Sequence, residues 1–200
     1  MSQRSPFIAP ARLSVEPASG RMAKATRHYE KRFADLAGLY ADEGAFLTLL
    51  PELGDRVVYE VWEHRASEAP GDLVFGTSVM SPGRVGDEFF VTRGHRHRLA
   101  DRSELYYCQA GEGVLLLEAP DGTTEALPMG PQSLVYVPPH WIHRSVNTGP
   151  GTLVTVFCYA ADAGQDYEVI ERQGGMRRRV VTDGAGGWKL VDNPTFRAGG

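Results

Sequence analysis

Two histidines separated by one residue, His95 and His97, are followed by a carboxylate at Glu104. Residues two apart in an extended strand project to the same face, so both imidazoles can be directed at one point. Further along the chain, His140 and His143 follow a Pro-Pro dipeptide and offer another imidazole. Three neutral imidazole nitrogens and one carboxylate form a borderline-hard ligand set suited to Fe²⁺, Mn²⁺, Ni²⁺, Co²⁺ or Zn²⁺. The pattern therefore predicts a mononuclear metal site with positions open for a bidentate oxygen ligand.

Most of the chain after residue 54 has the pattern of short strands separated by turns. Alternating or clustered apolar residues predict strands at 56–64, 72–80, 88–91, 105–109, 113–118, 134–137 and 153–159. The breaks between them are rich in turn-forming residues, in keeping with 23 Gly and 13 Pro in the chain. Seven or more short strands with such turns predict a β-sandwich or barrel rather than alternating βαβ units.

The first 54 residues predict an arm and a helical extension. Residues 1 to about 20 have little periodicity, and the residues after them permit an amphipathic helix over 22–40. The alternatives are a single broken helix or a strand near Arg32–Leu36. A second helix is expected from Asp42 to Leu50, with Asp42 as its N-cap and Pro51 after its end. The expected division is 1–54 for this extension and 55–200 for a β-barrel domain with a C-terminal strand and tail, together one globular unit.

Composition excludes several classes of protein. The chain has 200 residues and a formal net charge of −4, which argues against a general nucleic-acid binder. The sequence has no apolar run of the roughly 20 residues that a membrane span needs and no signal-peptide pattern, so a cytoplasmic protein is expected. Cys108 and Cys158 are the only cysteines and do not make a disulfide scaffold. The basic run Arg177-Arg178-Arg179 is expected to be a solvated edge.

The histidine pattern also resembles a known family. His95-x-His97-x6-Glu104 and the later Pro138-x4-His143 resemble the two motifs of the cupin superfamily. A longer gap between His97 and Glu104, and His140 in place of the common Gly, point to the cupin-type phosphoglucose isomerases. Similar stretches lie at 57–61, 82–86, 88–97, 135–147, 161–167 and 191–194. The resemblance covers roughly residues 30–197. It implies a mainly β fold, a cupin jelly-roll barrel with a short helical N-terminal extension.

The resemblance also implies an activity, the reversible isomerisation of glucose 6-phosphate to fructose 6-phosphate in glycolysis and gluconeogenesis. One divalent ion per subunit, with Fe²⁺ first among the candidates, would be held by His95, His97, Glu104 and His143. Glu104 would also be catalytic, whereas His140 would be a pocket-rim or packing residue. A homodimer and a sugar-phosphate substrate are implied as partners, with no nucleic acid and no membrane.

Further positions of the family correspond to substrate contacts. The resemblance implies phosphate contacts at Ser78, Thr92 and Gly94 and sugar contacts at Tyr59, Tyr106 and Tyr167. Arg93 is a further candidate, because an unbroken strand would place it on the face of His95 and His97. A bulge at Gly94 would instead turn Arg93 to solvent. Gln165 stands where archaeal relatives carry His, and an amide forms hydrogen bonds but cannot carry a proton at neutral pH.

Other functions fit the same residues. They are an isomerase or epimerase of another sugar phosphate, a cupin dioxygenase with this ligand set around Fe²⁺, and a non-catalytic sugar-phosphate-binding cupin. The candidate phosphate contacts favour the isomerase over the dioxygenase. Two routes are open for the isomerisation, an enediol with Glu104 as base and a metal-assisted hydride shift, and the enediol route is slightly favoured. The native metal is not fixed by the residues, because the preferences of these ions overlap.

Overall fold

Strands are the main regular secondary structure in the computed structural model, which describes residues 7–197. The strands are β1 Ser14–Val15, β2 Met22–Ala23, β3 Arg27–Arg32, β4 Val57–Arg65, β5 Leu73–Met80, β6 Arg84–Val85, β7 Glu88–Phe89, β8 Arg96–His97, β9 Glu104–Ala110, β10 Gly113–Glu118, β11 Thr124–Met129, β12 Leu134–Val137, β13 Ile142–Asn147, β14 Leu153–Ala160, β15 Gln165–Asp166, β16 Arg178–Thr182 and β17 Trp188–Asp192. The helices are a 3₁₀ helix at Phe33–Leu36, α1 at Glu43–Leu53 and α2 at Glu168–Arg172. All seven strands predicted after residue 54 are present with small shifts at their ends.

Two antiparallel arrays enclose the core. The first is a six-stranded sheet in the order β12-β9-β14-β5-β4-β3, and the second contains the three-stranded sheet β11-β10-β13. Isolated bridges from Val91 to Val146 and from His95 to His143 place the segment 88–97 beside β13. Through β7 this segment joins a four-stranded sheet in the order β17-β16-β7-β6. The arrangement is a mainly β cupin jelly-roll, which confirms the predicted fold class.

The strands nearest the candidate site are covered on both faces. Every residue of β10 and β13 is buried. Leu117 lies opposite His143 on one face, whereas Glu118 lies opposite Ile142 on the other. The outer face is covered by the chain after α2, where the backbone amide of Arg177 donates to the Glu118 carboxylate at 2.7 Å. Burial on both sides explains why β10 has a continuous apolar run instead of an alternating one.

The predicted helix over 22–40 is wrong, and so is a strand at Arg32–Leu36. The structure has β2 and β3 in this segment, and Phe33–Leu36 forms the 3₁₀ helix. β3 pairs antiparallel with β4, with Tyr29 opposite Val61. The spacing of a few apolar residues fits a helix or a strand. The backbone hydrogen-bonding groups at the edge of β4 favour the strand, because β3 can pair with them. This pairing joins residues 27–32 to the barrel sheet. The division of the chain into an extension (1–54) and a barrel domain (55–200) stays a prediction.

The second predicted helix is confirmed with a different end. The backbone amide of Ala45 donates to the side chain of Asp42 at 2.8 Å, as expected of an N-cap. The helix continues through Pro51 to Leu53 instead of stopping at Leu50. Because Pro51 lies near the C-terminal end, its missing N–H removes one hydrogen bond without breaking the helix. Residues 1–6 of the predicted arm and 198–200 of the tail lie outside the described residues.

The basic run 177–179 is not a solvated edge. β16 lies between β17 and β7, and Arg179 is 5% exposed. Its guanidinium donates to both carboxylate oxygens of Glu88, at 2.8 and 2.9 Å, and to the Leu39 carbonyl at 2.8 Å. A buried guanidinium is stable only with such partners, so Glu88 explains its burial.

Across residues 7–197, the helices are too short or too polar to cross a membrane.

We expect Glu88→Ala to lower the free energy of unfolding by about 3–5 kcal/mol, because it leaves Arg179 buried without its counter-charge. Asp192→Ala is the matched control, since it removes the partner of the neighbouring Arg178 in an exposed ion pair and should change little. Urea unfolding of the metal-saturated proteins measures both values. Equal losses in the two variants would contradict a stabilising role for the buried pair.

Candidate metal centre and adjoining cavity

Three histidines converge on one carboxylate oxygen inside the barrel. The Nε2 atoms of His143, His97 and His95 lie 3.0, 3.1 and 3.8 Å from Oε2 of Glu104. All four potential ligand atoms lie within 4.8 Å of one another. The structure therefore brings together the four residues that the sequence assigned to a metal.

The two sheets supply these residues from opposite sides. His95 and His143 exchange backbone hydrogen bonds at 3.0 and 2.9 Å, which fixes their imidazoles side by side. His97 lies two residues further along the same segment, in β8. Glu104 begins β9 in the six-stranded sheet and is paired there with Tyr159. The cluster is thus set by strand register rather than by a flexible loop.

Gly94 gives the histidine segment its direction. Its φ is +72°, in the left-handed region that favours glycine. A Cβ at this position would lie 2.9 Å from the Cβ of Arg144, the carbonyl oxygen of His143 and Cδ1 of Ile170. Any side chain here would push the segment away from β13 and separate His95 from His143.

The hydrogen bonds of the imidazoles indicate which nitrogens face the centre. Nδ1 of His97 lies 2.9 Å from the carbonyl oxygen of Arg102, and Nδ1 of His143 lies 3.4 Å from that of Trp141. Because a carbonyl only accepts, we assign the proton of each neutral ring to Nδ1. The Nε2 lone pairs then point at an ionised carboxylate, and two acceptors at this distance repel each other. A cation between them resolves the repulsion, so these residues fit a metal ion.

Burial and charge shift the pKa values of the cluster. Burial lowers the pKa of His95 well below its usual value, and the nearby His143 adds to this effect. Burial alone would raise the pKa of Glu104, but the adjacent His143 and His97 outweigh it and hold the pKa low. Burial lowers the pKa of His97. The nearby carboxylate of Glu104 has the opposite effect and outweighs burial, so the pKa of His97 is raised. Nε2 of His95 is buried and has no hydrogen-bond partner within residues 7–197, as expected of a ligand atom.

A polar cavity opens beside the cluster and contains the other candidate residues. It is lined by Tyr59, Ser78, Thr92, Arg93, Gly94, Tyr106, Gln165 and Tyr167. The hydroxyl of Thr92 accepts a hydrogen bond from the backbone amide of Ser145 at 3.0 Å. His140 is exposed and lies on a different cavity, beside Glu118. Of the residues that the sequence singled out, His140 is the one that the structure does not bring to this site.

Arg93 and Gln165 lie on the wall of the cavity in different settings. Arg93 is half-buried, forms an ion pair with Glu171, and places its guanidinium 5.2 Å from the centre of the Tyr167 ring. The turn at Gly94 therefore moves Arg93 to the cavity rim without sending it wholly to solvent. Gln165 accepts a hydrogen bond from the hydroxyl of Tyr167 through its side-chain oxygen. Its amide is thus held in place at the edge of the cavity.

Sequence reasoning missed two charged residues that line the same cavity, Glu63 and Arg144. Glu63 lies four residues after Tyr59 in β4, and the period of a strand places both on one face. Arg144 directly follows His143 and is 4% exposed, and its guanidinium donates to the carbonyl of Arg93 at 2.6 Å. The alternation in β4 was a usable signal for Glu63, whereas the sequence has no signal for the burial of Arg144.

Comparison with known proteins assigns the chain to a family. The family model described as "Glucose-6-phosphate isomerase (GPI)" matches residues 30–197. The chain belongs to this family. The "Glucose-6-phosphate isomerase" of Sinorhizobium medicae (strain WSM419) is 56% identical over 94% of this chain and 88% of its own length. The protein of the same name from Thermococcus gammatolerans is 47% identical over 83% of this chain and 86% of its own length.

These relatives confirm the resemblance to the archaeal-type isomerases that the sequence motifs indicated. Among solved structures, "Recombinant oxalate oxidase in complex with glycolate" is similar with a TM-score of 0.48 and 14% sequence identity, and the match covers 59% of each chain. The family assignment rests on the sequence relatives and on the family model.

We expect the purified chain to bind one divalent ion per subunit, and His97→Ala to weaken its affinity for that ion by at least about 100-fold, since it removes a ligand. His28→Ala is the control, because His28 belongs to an exposed group with Glu30 and Glu60 that could also hold an ion. Metal analysis after dialysis and calorimetric titration measure both. Retained metal in His97→Ala and lost metal in His28→Ala would place the ion at the outer group instead.

Proposed function

We propose that this chain is a metal-dependent glucose-6-phosphate isomerase that interconverts glucose 6-phosphate and fructose 6-phosphate in glycolysis and gluconeogenesis. The observation that carries the proposal is the buried cluster around Glu104, which opens onto a cavity lined with hydroxyl groups. Family membership supports the aldose–ketose isomerisation. The unpartnered Nε2 of His95 and the acceptors that face Glu104 support the dependence on a metal.

His95, His97, Glu104 and His143 would hold one divalent ion in each subunit. The bound ion, Fe²⁺ first and otherwise Mn²⁺, Ni²⁺, Co²⁺ or Zn²⁺, would act as a Lewis acid toward the carbonyl oxygen of the open-chain sugar. The chain contributes the orientation of the imidazoles, which strand pairing between His95 and His143 fixes. It also contributes the buried surroundings of the cluster, in which electrostatic interactions are stronger than in water.

Other residues of the cavity would bind the substrate. Ser78 and Thr92 would donate hydroxyl hydrogen bonds, and Gly94 a backbone amide, to the phosphate. Tyr59, Tyr106 and Tyr167 would contact the sugar. Burial raises the pKa of Tyr59 to about 12, and burial also raises the pKa values of Tyr106 and Tyr167. These phenols therefore stay protonated at neutral pH and act as hydrogen-bond donors.

The isomerisation also requires that a proton moves between C2 and C1. We assign this transfer to Glu104 in an enediol route, because its carboxylate is ionised and lies beside the other residues of the cavity. The imidazoles approach Oε2, so Oε1 would take the proton from C2 of the aldose and return it to C1.

We also propose a homodimer in the cytoplasm, on the basis of the family resemblance and the two free cysteines.

The activity has a direct test. Protein stripped with chelator should lose its fructose-6-phosphate isomerisation by at least about 100-fold, since the metal carries the Lewis-acid chemistry. Separate reloading with Fe²⁺, Mn²⁺, Ni²⁺, Co²⁺ and Zn²⁺ should restore it with one or more ions in a coupled glucose-6-phosphate assay. No activity with any of the five would reject the isomerase. Turnover of mannose 6-phosphate alone would assign the site to another sugar phosphate.

The route has its own test in deuterium oxide. An enediol formed with Glu104 as base exchanges its proton with solvent, so we expect deuterium at C1 of the fructose 6-phosphate produced from glucose 6-phosphate. NMR or mass spectrometry of the product measures the label. Product without deuterium, formed at an undiminished rate, would instead support a hydride shift between C2 and C1.

A further inference from the structure

Glu63 is a buried carboxylate at the cavity to which no role has been given. It is 3% exposed, and Oε1 has no hydrogen-bond partner among the described residues. The nearest cations are Nη1 of Arg27 at 3.5 Å and Nε of Arg65 at 3.7 Å, both beyond a good hydrogen bond. The two arginines offset the buried charge, but Oε1 keeps an unfilled hydrogen-bonding position at the cavity, and this position calls for an explanation beyond packing.

Glu63 connects the metal cavity with a larger cavity at its mouth. The outer cavity has a volume of about 560 Å³. Both cavities are lined by Glu63, Tyr159 and Gln165. A sugar that enters from the outer cavity would therefore pass the carboxylate of Glu63 and the amide of Gln165 on its way to the cluster.

Apart from Glu104, Glu63 is the one carboxylate among the described residues that line the inner cavity. Burial raises the pKa values of all the cavity tyrosines, which are Tyr29, Tyr59, Tyr106, Tyr159 and Tyr167. Arg144 has its pKa lowered by burial to about 10 and stays charged at neutral pH. The amide of Gln165 carries no exchangeable proton of suitable acidity. Elimination leaves the carboxylate of Glu63.

The proposed reaction needs such a group before the metal can act. Glucose 6-phosphate is a cyclic hemiacetal in solution, and only its open-chain form has a carbonyl at C1. Opening the ring moves a proton from the anomeric hydroxyl at O1 to O5 while the C1–O5 bond breaks and the C1–O1 double bond forms. No oxidant or other reactant takes part, and a positioned acid–base group accelerates the transfer.

We propose that Glu63 is the acid–base residue that opens the sugar ring, an inference that rests on the isomerase function proposed above. Its carboxylate accepts the O1 proton and delivers a proton to O5. Closure of the product ring uses the same group in reverse. Glu104 keeps its separate task at C1 and C2. Ring opening and isomerisation are thus divided between two carboxylates, on β4 and β9 of the six-stranded sheet, that line one cavity.

The rate of exchange between the α and β anomers tests Glu63 apart from the isomerisation. Ring opening interconverts the anomers of glucose 6-phosphate labelled with ¹³C at C1, and exchange NMR with metal-loaded enzyme measures the rate above the enzyme-free background. Glu63→Gln should slow this catalysed exchange by at least about 100-fold. Glu68→Gln is the matched control, because Glu68 contacts Arg65 at the outer cavity but is 84% exposed.

Both variants should keep the wild-type metal content and the wild-type affinity for inorganic phosphate, measured by calorimetry. A catalysed anomer exchange in Glu63→Gln within a few-fold of the wild type overturns the proposal. Should the amide variant not fold, Glu63→Asp decides, since it withdraws the carboxylate by one methylene. We expect it to slow the exchange at least tenfold, and an unchanged rate would again overturn the proposal.

The outcomes also separate this inference from the proposed function. A wild-type enzyme that isomerises but does not accelerate anomer exchange rejects the role of Glu63 and leaves the isomerase standing. A wild-type enzyme that does neither with any of the five ions rejects both. Loss of anomer exchange in Glu63→Gln with normal metal content and phosphate affinity supports the division of labour between Glu63 and Glu104.

Discussion

A carboxylate deep inside a β-barrel is stable only when donors or cations surround it, and Glu104, with three imidazoles beside it, would meet this condition around a bound cation. Its Oε2 lies 3.0–3.8 Å from three Nε2 atoms. The Nδ1 atoms of His97 and His143 face backbone carbonyls, so the lone pairs of both rings point inward. Without a metal ion, these lone pairs and the ionised carboxylate repel one another. A metal ion held between them would attract both. The barrel must therefore hold four side chains from two sheets in register with one another.

The outer layer of the molecule serves this register. Gly94 lets the histidine segment pass within van der Waals contact of Arg144 and Ile170, so α2 packs directly against the turn that aims His95. Arg144 ties β13 to the carbonyl of Arg93 from the same side. Further out, Arg179 and Glu88 hold β16 against β7. These buried charges explain why a polar C-terminal region is part of the barrel wall.

The sequence predicted the features that depend on local spacing. Alternating or clustered apolar residues located seven barrel strands, although not β11 or β13, and the spacing of His95 and His97 predicted correctly that both approach one point. The sequence predicts a helix where β3 lies, because Tyr29 is the one large apolar residue of this strand and one residue sets no alternation. Pairing with β4 decides the conformation of β3. Arg179 was expected in solvent because its counter-charge, Glu88, lies 91 residues earlier. Pairings over such distances are set by topology, which a single sequence does not display.

The charge of the whole chain shows the same contrast between sequence and site. A formal net charge of −4 opposes the binding of an anion such as a sugar phosphate. The two cavities nevertheless have more arginines than carboxylates on their walls: Arg27, Arg65, Arg93, Arg98 and Arg144 against Glu63, Glu68 and Glu104. Inside a cavity the dielectric screening is weaker than at the surface, so nearby charges dominate over the total. The field inside the two cavities therefore depends on which side chains the strands direct inward and not on the total charge of the chain.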